Sequence, residues 1–365
     1  MRILEVDAGR EWRGGQNQVR LLCRELARRP DVELRLITQR GSELARRAGA
    51  DGVLVHEVPW AIGIDPRAVI RTAALVRSFT PDIVHVHDSH AFSVARFALQ
   101  SVTKRDRDAW LPYLRWFRMD APMPAVVASR RVDFHVKPRS NWFRADRILA
   151  VSDAVKRVLI ADGIPERDIV VVHDGIDPAE VRAAADREPD IRARLGLPSG
   201  VPLAVNVAAL VDHKDQRTLI RAAGAARTLV PSLHWVIAGE GPNAAALAAE
   251  VARLALGDRV HLLGYVESAD ALIREAAVFV MSSKEEGLGS VVLHAAALGR
   301  PVVATAAGGL PEMVPAEWLV PVGDADALAR KVASALAHPS PFPLPPQFTA
   351  AAMADGVLAQ YRLLA

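Results

Sequence analysis

Histidines, a lysine and acids stand beside glycines where several β-rich runs of this sequence end, and those are the places where its chemistry could begin. In Asp82-Ile83-Val84-His85-Val86-His87-Asp88 the alternation puts both histidines on one face of a strand. Open parallel sheets bind ligands beyond the carboxyl ends of their strands. His87, nearest that end and followed by an acid, is therefore a candidate ligand contact. A structural histidine is the plainer alternative. No third ligand follows at a fitting spacing, so zinc is not read here and no metal is expected.

Gly14-Gly15 ends the loop after the first β-rich run and opens a helical pattern. Glycines let backbone approach a ligand closely, and a helix N-terminus offers unpaired N–H groups to phosphate. An ordinary turn explains the pair equally well. The loop is not G-x-G-x-x-G, so a nicotinamide cofactor is not supported. In the second half, Lys214 lies between a β-rich run and a helical pattern, where it could meet a diphosphate as a point charge. Gly239-Glu240-Gly241-Pro242 is a further strand-to-helix turn compatible with phosphate. The most specific stretch is Ser282-Ser283-Lys284-Glu285-Glu286-Gly287-Leu288-Gly289-Ser290-Val291-Val292-Leu293-His294. Glu286 is placed to hold a hydroxyl group or a developing cation. The N–H groups of Gly287, Leu288, Gly289 and Ser290 can approach phosphate oxygens. His294, one turn into the helix, can reach back to the ligand. Surface acids before a capped helix are the plainer reading.

These residues need strands and helices to hold them. Strands are expected at 2–6, 32–37, 53–58, 82–87, 125–129, 146–151 and 169–172, and then at 203–208, 233–238, 259–263, 278–281, 301–305 and 318–320. Helical spacing is read at 15–29, 152–161, 216–229, 243–256, 268–276, 290–298 and 348–364, with Ser152 as an N-cap. Strands and helices alternate throughout, and runs such as Val170-Val171-Val172 are apolar on both faces. The fold class is therefore α/β, with parallel sheets covered on both sides. A length of 365 residues suits two domains. They are placed at 1–175 and 176–345, each a Rossmann-like doubly wound unit. A helix at 346–365, beginning in a proline-rich break, is expected to pack back on the first.

No uncharged apolar run approaches the about 20 residues of a membrane span. The acidic start does not continue as a signal peptide would, and Cys23 is the single cysteine. A cytoplasmic protein is expected. The net charge of +3 is uneven: the first 172 residues hold 29 Lys and Arg against 21 Asp and Glu, net +8, and the rest is net −5. The first half thus suits an anionic partner. From Lys104 to Pro124, aromatics interleave with arginines, which fits peripheral contact with a membrane surface or a loop with outward arginines.

Taken in order, these motifs resemble the retaining GT-B glycosyltransferases of glycosyltransferase family four. The pieces are Gly14-Gly15, Val84-His85-Val86-His87, Val151-Ser152-Asp153-Ala154-Val155-Lys156, Gly175-Ile176-Asp177, residues 210–214, Gly239-Glu240-Gly241-Pro242, Leu263-Gly264-Tyr265, and residues 285–289 running into Ala297-Leu298-Gly299-Arg300-Pro301-Val302-Val303-Ala304. The resemblance implies two Rossmann-like domains facing a central cleft. It implies a nucleotide diphosphate sugar on the second domain and an acceptor on the first. It gives His87 contact with the transferred sugar, lays the Gly14-Gly15 backbone on the phosphates, and has Lys214 neutralise the leaving diphosphate. It lets the backbone near Tyr265 and Val266 read the base and has Glu286 hold the donor sugar. Two positions depart from the pattern: the second acid of E-x7-E is His294, and a frequent arginine before the lysine is Ala209. The partners implied are a nucleotide sugar and a glycan acceptor, lipid-linked or of lipopolysaccharide type, with no nucleic acid and no cofactor beyond the sugar nucleotide. An epimerase on the same fold and a non-catalytic nucleotide-sugar binder are the competing readings.

Overall fold

The computed structural model describes all residues except 62, 103–121 and 187–190. The chain divides into two units, Met1–Gly175 with Ala350–Ala365, and Ile176–Thr349. Most of the aromatic and arginine-rich segment 104–124 lies outside the described residues. Among the described residues no helix is long and apolar enough to cross a membrane.

Unit 1 is built on a parallel sheet. Its described strands are β1 (Arg2–Val6), β2 (Glu33–Gln39), β3 (Leu54–Val58), β4 (Ile83–Val86), β5 (Ala125–Arg130), β6 (Arg147–Ala150) and β7 (Ile169–Val171). Their spatial order is β3-β2-β1-β4-β5-β6-β7. The order reverses between β1 and β4, which pair in parallel with Glu5 beside His85. Every residue of β4 is buried, as expected for a central strand covered on both faces.

The helices begin where local chemistry allows. Ser152 accepts from Val155 N at the start of α5 (Asp153–Ala161), and Asp65 caps α3 (Pro66–Phe79), whose first residue is proline. Helix α1 (Gly14–Ala27) and the last helix, α13 (Ala350–Leu364), share one core through Leu22, Leu26, Met353, Val357 and Tyr361. Gly356 lets α13 come close: a Cβ there would sit 3.2 Å from a Val172 methyl.

Unit 2 repeats the plan with β8 (Leu203–Val207), β9 (His234–Ala238), β10 (Val260–Gly264), β11 (Val278–Met281), β12 (Val302–Thr305) and β13 (Leu319–Val320). The order is β10-β9-β8-β11-β12-β13, so the reversal falls between β8 and β11. Its core includes Trp235, Ile237, Val280, Val303 and Leu328. Each unit thus has one topological switch point, the place where doubly wound sheets hold ligands.

Candidate functional site

At the switch point of unit 2, β8 leads into a short turn, Asp212–Lys214, and β11 leads into the loop carrying Glu286. The Lys214 ammonium donates to Glu286 Oε2, and Ser283 Oγ donates to the same oxygen at 3.1 Å. Ser282 Oγ donates to the Lys214 carbonyl at 3.0 Å, and Lys284 N donates to the His213 carbonyl at 2.8 Å. The two loops are therefore tied at backbone and side chain. Both charged groups are mostly enclosed, with side chains 18% and 10% exposed.

Glycines shape the surroundings of this pair. Gly308 has φ +50°, and a Cβ there would lie 1.7 Å from the Glu286 carbonyl oxygen. No other residue type fits without moving the Glu286 peptide. Gly289, at φ +86°, lies against the Glu286 side chain and Leu310. Gly239 N donates to Gly264 O, and a Cβ on Gly239 would lie 1.9 Å from the Ala208 carbonyl oxygen. The Gly239–Gly241 turn is thus pressed onto the backbone that leads to Lys214. Ser290 ends the Gly287–Ser290 turn without capping the short helix α11 (Val291–Ala297).

At the switch point of unit 1, the loop after β1 and the turn after β4 border a cavity of about 430 Å³. Gly9, Arg10, Gln16, Trp60, Asp88 and His90 are among its lining residues. No side chain caps α1, and open space lies beside Gly14 and Gly15. Behind the cavity Asp7 is buried, accepting from Gly9 N at 2.8 Å. Burial, and then the nearby Asp88 charge, push its carboxyl from the usual value near 3.8 up to about 6.

Beneath this edge lies a buried polar network. His87 Nε2 is 2.6 Å from Glu5 Oε2, and His87 Nδ1 is 3.1 Å from Arg131 Nη1. A guanidinium only donates, so Nδ1 accepts and the His87 proton sits on Nε2, facing Glu5. Burial, with His85 adding to it, holds His87 down at about 3, so the ring is neutral. Tyr361 donates to Glu5 Oε1 at 2.8 Å and lies 2.6 Å from His85 Nδ1, while His85 Nε2 meets Ser129 Oγ at 2.8 Å. Burial alone raises the Glu5 carboxyl, but the histidines together hold it well below the carboxylate range. Glu5, His85 and His87 bring metal-ligand atoms within 4.8 Å of one another. Their spacings of 2.6 and 3.0 Å are those of direct hydrogen bonds.

Two family models match the chain: "Glycosyltransferase Family 4" over residues 12–180 and "Glycosyl transferases group 1" over residues 187–353. The 2-deoxystreptamine glucosyltransferase of Streptomyces kanamyceticus is 30% identical over 75% of this chain and 73% of that protein. The chain belongs to glycosyltransferase family four. A lipopolysaccharide core biosynthesis glycosyltransferase, LpsE of Rhizobium meliloti, is 26% identical over 80% of this chain and 86% of its own length. The solved structure of Anabaena HepE with UDP-glucose matches the fold at a TM-score of 0.72, with 18% identity, covering 100% of this chain and 97% of that one. The glycosyltransferase therefore has the GT-B architecture of two Rossmann-like parallel-sheet domains.

Within unit 2 of the glycosyltransferase, Lys214, Glu286 and Gly289 come together, with the Gly239–Gly241 turn packed behind them. Gly287 and Leu288 are buried. Tyr265 and Val266 follow β10 at the same carboxyl edge, Tyr265 with 68% of its surface exposed and Val266 half-buried. Glu240 is exposed at the tip of its turn. His294 is held by Asp270, Nδ1 to Oδ1 at 2.6 Å. In unit 1, His87 is buried and both ring nitrogens are engaged, while Gly14 and Gly15 stand open at the start of α1. Motif reading missed Gly308 and the part Ser283 plays in unit 2, and Glu5, Asp7, Arg131 and Tyr361 in unit 1. One signal was available: Glu5 and Asp7 are acids in and beside a strand whose other residues after Arg2 are apolar.

Proposed function

We propose that the glycosyltransferase takes a nucleoside diphosphate sugar on unit 2 and moves the sugar, with retention of configuration, to a glycan acceptor on unit 1. The observation that carries this reading is the Lys214–Glu286 pair at the β8/β11 switch point, enclosed by glycine turns. Sugar transfer gathers negative charge on the departing diphosphate and positive charge on the ring. Lys214 supplies a cation for the first, assisted by the N–H groups of Gly287–Ser290. Glu286, already oriented by Ser283, supplies an acceptor for the donor sugar hydroxyls. The backbone at Tyr265 and Val266 is the part we assign to the base. His294, steadied by Asp270, is the group offered to the ribose.

A lysine and oriented backbone dipoles suffice to stabilise the leaving group, so no resident metal enters this reading. With Glu286 assigned to the sugar hydroxyls, retention is read as front-face attack assisted by the leaving phosphate rather than through a covalent intermediate on that carboxylate. The acceptor we favour is a phosphorylated or lipid-linked glycan at a membrane's cytoplasmic face. The +8 excess of the first 172 residues and the name of the R. meliloti relative support it.

A panel of UDP-, GDP- and ADP-sugars tests the proposal by thermal shift. A ligand at 100 times its Kd stabilises the native state by about 2.7 kcal/mol. UDP-glucose, the ligand in the Anabaena structure, is the first probe. If no sugar nucleotide raises the melting temperature, the donor reading fails. Conversion of the donor to an isomer without an acceptor would assign an epimerase instead.

A further inference from the structure

His87 stands where a ligand contact is expected, yet it has no N–H to offer. Nε2 donates to Glu5, and Nδ1 is filled by Arg131. The next group outward is Arg131 itself, immediately after β5 at the carboxyl edge of the sheet. Its Nε donates to Asp174 Oδ1 at 3.0 Å and its Nη1 to His87. Among the described residues its Nη2 has no partner, and it is not an enclosed orphan donor. The side chain is 14% exposed. A guanidinium fixed at Nε and Nη1 is fixed in its plane, so the remaining N–H groups are aimed.

We propose that Arg131 is the ligand-contacting residue of unit 1 and that His87 is a positioning residue, aiming the guanidinium through its Nδ1 lone pair. The group contacted is a sugar hydroxyl oxygen rather than a free phosphate. Asp174 already compensates the Arg131 charge, and Asp7 lies within electrostatic reach, so an added anion meets carboxylates as well as the cation. Tyr361 and Glu5 keep the arrangement in register: the phenol and the two histidines orient the Glu5 carboxylate, which dictates the His87 tautomer. The inference rests on the glycosyl-transfer reading for the identity of the ligand, but not for the tautomer.

The test has two arms, both on the full chain. In the first, ¹⁵N-histidine NMR without ligand reads the His87 tautomer. Expected is a ring protonated at Nε2 only, unchanged between pH 5.5 and 8, as a group held down at about 3 requires. A proton on Nδ1, or titration in that range, overturns the aiming role whatever the activity. In the second, Arg131→Gln, His87→Leu, His87→Asn and the double variant Arg131→Gln/His87→Leu are compared with the donor found above. Arg131→Gln and His87→Leu each lower kcat/KM on the order of 10- to 100-fold, as loss of a hydrogen bond to a charged group does. Affinity for the free nucleotide and for inorganic phosphate stays unchanged. The double variant is no worse than Arg131→Gln alone, because one residue acts through the other. His87→Asn, whose Oδ1 takes the place of Nδ1, recovers most of the loss. Multiplying losses, no rescue by asparagine, or weaker phosphate binding in Arg131→Gln refutes the proposal. A chain that turns over no sugar nucleotide but shows the Nε2 tautomer refutes the transfer reading alone.

Discussion

Asp7 should weaken the fold of unit 1 at neutral pH, and Asp7→Asn should strengthen it. The carboxyl is 1% exposed and titrates at about 6 rather than near 3.8. Each pH unit between the folded and unfolded values is about 1.4 kcal/mol. Ionising Asp7 therefore costs the folded state about 3 kcal/mol above pH 6. The sign follows from proton counting. Below pH 3.8 the group is protonated in both states and there is no penalty. Between there and pH 6 the unfolded chain releases its proton first, so stability falls as pH rises. Above pH 6 both states are ionised and the loss is complete. Asparagine keeps an acceptor for Gly9 N and never ionises. Its amide also faces Gln16 Nε2, 3.5 Å from Asp7 Oδ2, which an amide flip of Gln16 accommodates. Cys23 supplies the assay. It is the single cysteine, fully buried in α1 of the same unit, with its thiol pushed well up by burial. Its reaction with a disulfide reagent that works in acid reports opening of unit 1. The variant-to-wild-type ratio of labelling rates cancels the reagent's own pH dependence. Labelling of Asp7→Asn should be close to wild type near pH 4 and roughly 100-fold slower at pH 8, the equivalent of about 3 kcal/mol. A ratio constant across pH, or faster labelling of the variant at pH 8, refutes the reasoning.

Three further outcomes are expected from unit 2. Lys214→Ala should cut turnover by on the order of 100-fold or more, as loss of one charge-stabilising contact does in other enzymes, with far-ultraviolet circular dichroism unchanged; near-normal turnover excludes the phosphate role. Glu286→Gln should impair sugar transfer more than binding of the free nucleotide, and equal losses by calorimetry and kinetics would argue against a sugar contact. Gly308→Ala should destabilise by more than Gly299→Ala in urea titrations. Both sites have positive φ, worth about 1–2 kcal/mol with a side chain, but only at Gly308 does a Cβ strike the Glu286 carbonyl, and Gly299 opens on empty space. Equal costs would show that Gly308 does not hold Glu286 in place.

The strands were legible because central parallel strands are apolar on both faces, so their hydrophobic runs stand out. β4 and β11 lie where those runs do, their ends shifted by a residue or two at most. Helix α5 was legible through Ser152, whose hydroxyl does accept from Val155 N. The Lys214–Glu286 pair was half legible: each residue was marked by its motif, but nothing local says that two residues 72 apart share a hydrogen bond. The network of unit 1 was hidden for a stronger reason. Glu5 meets His85 through strand register, Arg131 arrives on the next strand, and Tyr361 comes from the far end of the chain. An arginine at a strand end reads as an ordinary surface charge until its partners are known. The type and place of His87 mark it in the sequence, but its tautomer comes only from its neighbours.

The two switch points solve the same problem differently. In unit 2 the charged groups neutralise one another, Lys214 against Glu286, so the proposed diphosphate would compete with a carboxylate for one ammonium. Desolvating either partner alone costs several kcal/mol, so the pair keeps both charges tolerable until a ligand replaces it. In unit 1 the charges are locked instead. Glu5 is ionised, His87 is neutral, and Arg131 is held at Nε and Nη1. On the reading proposed above, an exchangeable pair suits a site that grips and releases a pyrophosphate at every turnover. A locked guanidinium suits a site whose task is orientation, since a donor that need not reorganise loses little when its ligand arrives. Exchanging the two designs, with a free arginine in unit 1 or a rigid pair in unit 2, would cost orientation in the first and release in the second.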